Sequence, residues 1–66
     1  MNVRINGELR EVPDTTTVSG LLAHLGLEAR GIAVAVDRAV VPRALHPTTV
    51  LCEGCEVEVI RAVGGG

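Results

Sequence analysis

Phenylalanine, tyrosine and tryptophan are absent from this chain, and so is lysine. Without an aromatic ring there is nothing to stack on a flavin or a nucleobase, which removes the usual grip on single-stranded nucleic acid. All six cationic side chains are arginines, at positions 4, 10, 30, 38, 43 and 61; against eight carboxylates they leave a net charge of −2 and an isoelectric point near 5.5. That balance offers no basic field to a phosphate backbone, so no nucleic-acid partner is expected. The missing lysine excludes a further role. A chain with no ε-amine cannot take an isopeptide bond on a side chain, so in any tagging chemistry it would act as carrier or donor. Long apolar runs are missing too. None approaches the ~20 residues of a membrane span, and the N-terminus lacks a charged region followed by a hydrophobic one. The expectation is a soluble cytoplasmic protein with no membrane partner.

What is present is 66 residues, 47% of them hydrophobic. That is enough for one domain with a core of Val, Leu, Ile and Ala. A chain this short buries only ~60% of the surface its unfolded form exposes, so modest stability is expected.

Met1-Asn2-Val3-Arg4-Ile5 alternates apolar and polar in the manner of a half-buried strand. Asn6-Gly7 marks a hairpin. A three-residue loop is preferred over a two-residue one, because it sets Ile5 opposite Leu9 on one face; the second strand then runs from about Glu8 to Val12. Val18, Leu21, Leu22 and Leu25 fall at i, i+3, i+4 and i+7 of a helix, with Thr17 as N-cap and Gly26 just past its end. Ile32 to Val36 reads as a central strand, with Val34 and Val36 toward the helix and Ala33 and Ala35 away from it. Asp37-Arg38 is a turn, and Ala39 to Arg43 a short edge segment limited by Pro42. His46-Pro47 opens a loop, and Thr48 to Leu51 suggests another short strand. Gly54 suits a tight turn before a last strand over Glu56 to Val63, in which Val57 and Val59 face the core while Ile60 and Ala62 lie on the far side with Glu56 and Glu58. The order of hairpin, helix and further strands is an α+β arrangement with one helix on one mixed sheet.

Val63-Gly64-Gly65-Gly66 closes the sequence. Three glycines give the backbone conformations that a Cβ would block, and four extended residues reach roughly 13 Å at about 3.3 Å each. A glycine carboxylate on such a stalk can enter a narrow channel of another enzyme and be handled there as a substrate. The competing reading is a frayed end or a cloning remnant.

Taken together, the Asn6-Gly7 hairpin, the Thr17-Val18 helix start with Leu21-Leu22, Arg30-Gly31-Ile32-Ala33-Val34-Ala35-Val36, Val41-Pro42-Arg43 and Glu58-Val59-Ile60 ahead of Gly65-Gly66 resemble the ThiS family. These are the small sulfur carriers of thiamine biosynthesis, β-grasp proteins of the ubiquitin-like superfamily. The resemblance spans essentially the whole chain. It implies a mixed sheet of four to five strands with the first and last as parallel neighbours, one helix across one face, a β-grasp domain over residues 1–63 and a flexible glycine tail over 64–66.

It also implies the chemistry. An E1-like ATP-dependent adenylyltransferase/sulfurtransferase would adenylate the Gly66 carboxylate, and sulfur from a persulfide donor would displace AMP to leave a thiocarboxylate. Thiazole synthase would take the sulfur. Gly64 and Gly65 would let the tail insert. ATP and the sulfur donor belong to the partner, so the chain would bind no cofactor and catalyse nothing. Ile60, Ala62, Ala33 and Ala35, with Arg61 beside them, are the expected partner-contacting patch on a protein that is monomeric when free; scattered surface apolar residues are the plain alternative.

One departure from the family pattern is Gly54-Cys55 where Gly-Asp is common, which with Cys52 creates Cys-x-x-Cys. Two thiols at that spacing can chelate zinc or cycle as a disulfide. Only His24 and His46 are on hand as further imidazole ligands, with His24 read as a solvent-side helix residue, so no metal site is assigned. Other readings stay open: the related small subunit of molybdopterin synthase, a ubiquitin-like binding module whose tail is a linker, or a metal or redox protein using the two cysteines.

Overall fold

The computed structural model describes residues 1–28 and 30–61. Ala62 and the tail expected at Gly64, Gly65 and Gly66 lie outside the described residues. The elements are β1 (Asn2–Ile5), β2 (Glu8–Glu11), α1 (Val18–His24), β3 (Ile32–Val36), β4 (Ala39–Val41), a 3-10 turn (Arg43–Leu45) and β5 (Glu56–Arg61). The five strands form one sheet in the order β2-β1-β5-β3-β4. β1 and β5 run parallel, and every other pair is antiparallel. This is the expected α+β β-grasp arrangement, with α1 laid across one face.

Strand alternation decides what α1 covers. Val3 and Ile5 of β1, Val34 of β3 and Val57 of β5 are all buried, and they pack with Val18, Leu21 and Leu22 of the helix. α1 is too short to persist alone, and both its ends are fastened. The Thr17 hydroxyl accepts the Gly20 amide at 3.0 Å. At the other end Gly26, at φ +73°, donates to the Ala23 carbonyl at 3.0 Å while Leu27 donates to Leu22 at 2.8 Å, the paired closure that a left-handed residue after the helix makes possible.

The first hairpin differs from expectation. Its loop has two residues, Ile5 pairs with Glu8 and Arg4 with Leu9, so Leu9 stands on the open face and is 63% exposed. Asn6 and Gly7 both take positive φ, 51° and 84°, the left-handed pair whose twist matches that of the flanking strands. Turn geometry therefore outweighed the gain from pairing two apolar side chains. β2 is an edge strand and all four of its residues are exposed, so little burial was at stake.

One further expectation changes. Thr48 to Leu51 forms no strand: Val50 makes an isolated bridge with Thr17, and the segment instead clamps the start of the helix through Val18 N–H to Thr49 carbonyl and Leu51 N–H to Thr16 carbonyl, both at 2.9 Å. His46, where a loop was expected to open, is 2% exposed, a burial the sequence reading did not address. Its Nε2 lies 3.1 Å from the Val41 carbonyl oxygen, which can only accept, so Nε2 carries the proton. The imidazole thus ties the loop after β4 back to that strand.

Candidate functional site

The pole where β5 leaves the sheet gathers the features of interest. β5 is the inner strand between β1 and β3, paired with Ile5 through Val57 on one side and with Ile32 through Arg61 on the other. Asn6 extends the parallel ladder past the end of β1. Its backbone amide donates to the Val57 carbonyl at 2.9 Å, its side-chain oxygen accepts the Val59 amide at 2.9 Å, and its side-chain nitrogen donates to the Val59 carbonyl at 3.2 Å. The last described residue, Arg61, is thereby held by an inner strand.

The two sheet faces at this pole differ. On the open face Ile60 lies opposite Ala33, and Ala35 lies between Glu58 and Val40. Ile60 is 55% exposed and Val40 74% exposed. Ile60, Ala33 and Ala35 thus share one face as expected, and Val40 joins them; Ala62 is outside the described residues. Val40 was legible from the Asp37-Arg38 turn, since a two-residue loop there places it beside Ala35. On the helix side Arg61 stands opposite Ile32. It lines a cleft of about 350 Å³ with Ile5, Leu25, Ile32 and Val59 at the apolar wall and Arg10 and Glu8 near the hairpin. Arg61 is therefore at the exit of β5 but on the opposite face from Ile60.

At the other pole, the Cys52–Cys55 turn precedes β5. Cys55 is buried among the core residues and Cys52 is exposed. Burial pushes the Cys55 thiol above its ordinary value of 9.0, and the charges of Asp37 and Cys52 act in the same direction. His24 is exposed on α1 and His46 is buried against Val41. Among the described residues no three of His, Cys, Asp and Glu are grouped to hold a metal ion. No described helix is long and apolar enough to cross a membrane.

The ThiS family model matches residues 3–66. The chain belongs to the ThiS family. A thiamine biosynthesis protein (ThiS) from Geobacter metallireducens has the same architecture, with a TM-score of 0.87 at 29% identity and full coverage of both chains. Among curated relatives, the thiazole synthases of Magnetococcus marinus and Paramagnetospirillum magneticum are 38% and 33% identical to this chain over all 66 of its residues. This ThiS-family chain spans only about 20% of their length. An uncharacterised protein, ycf40 of Porphyra purpurea, is 29% identical over the full chain, which spans 93% of that protein.

Proposed function

We propose that this ThiS-family chain is a sulfur carrier for formation of the thiazole ring of thiamine, with Gly66 as the carrying residue. The observation that supports this most is the family match running through residue 66 on a fold whose last described strand, β5, is an inner strand of the sheet. With Gly66 as the terminus, an E1-like adenylyltransferase would join its carboxylate to AMP with release of pyrophosphate. The terminal sulfur of a donor persulfide would displace AMP, and thiol cleavage of the resulting S–S bond would leave the thiocarboxylate. ATP and the sulfur donor are bound by the partner. The chain itself is a macromolecular cosubstrate and supplies no catalytic group.

The acceptor proposed is thiazole synthase. Two curated relatives that contain a region similar to this chain bear that name, and a carrier region within such a protein places sulfur donor and acceptor in one polypeptide. The same names favour thiamine over molybdopterin synthesis. Ala33, Ala35 and Ile60, with Val40 alongside and Ala62 next in strand phase, are the proposed docking face. Arg61 acts separately, from the opposite side of the exit, and Gly64 and Gly65 supply a slender path into the partner's cavity, where any Cβ would meet the walls.

ATP–pyrophosphate exchange catalysed by the activating enzyme tests this reading. Exchange is expected with the chain ending at Gly66 and lost when a leucine is appended after it. Undiminished exchange with the extended chain would refute carriage on Gly66.

A further inference from the structure

We propose that Cys52 and Cys55 form a reversible dithiol–disulfide couple at the pole opposite Arg61, with exposed Cys52 as the attacking thiol and buried Cys55 as the resolving one. The two residues are the ends of a β-turn. The Cys55 amide donates to the Cys52 carbonyl at 3.1 Å, and Gly54 takes φ +78° while Glu53 does not share the left-handed region, the pattern of a type II turn. The end Cα atoms of such a turn lie within about 7 Å, and a disulfide accepts about 4.4–6.8 Å. The span of the turn is therefore compatible with the Cα separation of a disulfide.

The turn is held to β1 on three sides. Gly54 donates to the Asn2 carbonyl at 2.7 Å and Arg4 to the Cys55 carbonyl at 2.9 Å, and the Glu53 carboxylate accepts the Asn2 amide at 3.1 and 3.2 Å. These bonds hold the backbone of the turn, and with it the two Cα positions, in place. Their environments separate the roles, because Cys52 meets solvent while Cys55 is 4% exposed and its raised pKa keeps it a thiol until a sulfur next to it becomes an electrophile. A metal would need further donors, and among the described residues none is grouped with the pair; a disulfide needs only the two.

The oxidant is a low-molecular-weight disulfide. The Cys52 thiolate attacks one sulfur of it, forming a mixed disulfide and releasing one thiolate. Cys55 then loses its proton and attacks the Cys52 sulfur, forming the intramolecular bond and releasing the second thiolate, so two protein thiols are oxidised and one external disulfide is reduced. Cys55 sits six residue steps from Arg61, roughly 20 Å at about 3.3 Å per residue, and the couple is independent of sulfur carriage at Gly66.

Intact-mass measurement after exposure of the full chain to oxidised glutathione, followed by alkylation, tests the couple. The wild type is expected to lose two hydrogens, resist alkylation at both positions, retain no glutathione and recover fully in reduced glutathione. Cys55→Ala is expected to accumulate a stable glutathione adduct at Cys52, and Cys52→Ser to remain unmodified. The wild-type readout needs no variant to fold: a persistent glutathione adduct, an inter-chain dimer or two freely alkylated thiols after oxidation would each overturn the proposal.

Discussion

Both heteroatoms of the Asn6 side chain reach β5, accepting from and donating to Val59, while its backbone sits at φ 51°. Alanine there would remove two hydrogen bonds worth about 0.5–1.5 kcal/mol each and would keep a left-handed conformation costing about 1–2 kcal/mol. Asn6→Ala is accordingly expected to lower unfolding free energy by about 2–5 kcal/mol in urea titration. Asn6→Gly, which tolerates the backbone, should lose only the hydrogen-bond share. The same residue steadies β5 two positions before Arg61, so its loss would also loosen the end of that strand. At the far end of β5, the raised pKa of Cys55 gives a pH dependence with a defined sign. Between the ordinary thiol value of 9.0 and the higher folded value, the unfolded chain has released a proton that the folded one retains, so unfolding stability falls as pH rises through that window. Below it the contribution is fully present. Reduced wild type should therefore lose stability above pH 9, and Cys55→Ala should show a shallower alkaline decline in the same denaturation series.

At the scale of elements, α1 carries one correctable weakness. Gly20 lies inside it, and a Cβ built there meets Thr17 Oγ1 at 3.4 Å and Thr16 Cγ2 at 3.5 Å, ordinary contact distances. Gly20→Ala is thus expected to raise stability by about 0.5–1 kcal/mol through helix propensity, read as a higher thermal midpoint. The helix itself was legible in sequence because its cap, its apolar spacing and Gly26 all agree. β3 and β5 were legible for the same reason, since alternation fixed which of their residues face α1. The hairpin register was not. Ile5 and Leu9 argue for one loop length and Asn6-Gly7 for another, and only the pairing of Asn6 with Val59, distant in sequence, adds weight to the second. The strand expected over Thr48 to Leu51 was misread from sequence, because the segment's backbone clamps the helix start, and neither that clamp nor the burial of His46 against Val41 is announced by any local periodicity.

The whole molecule presents two unlike faces around one exit. The helix side carries α1 over the core and the cleft beside Arg61, while the open side carries Ile60, Ala33, Ala35 and Val40 in adjoining cross-strand positions. Ile60 is too exposed to hold the core together, so Ile60→Asp should change stability by no more than about 0.5 kcal/mol. If the open face docks, however, a buried unpaired carboxylate would weaken binding to the activating enzyme by at least about tenfold, some 1.4 kcal/mol, in calorimetric titration. Unchanged affinity in that variant would remove the docking face while leaving the carrier proposal standing. The carrier proposal has its own direct measurement: intact mass of the chain with a native C-terminus after incubation with ATP, the activating enzyme and a persulfide donor. The account predicts a gain equal to the difference between sulfur and oxygen, located by fragmentation at Gly66 and dependent on ATP. No gain at Gly66, or sulfur found on Cys52 or Cys55 in its place, would contradict it.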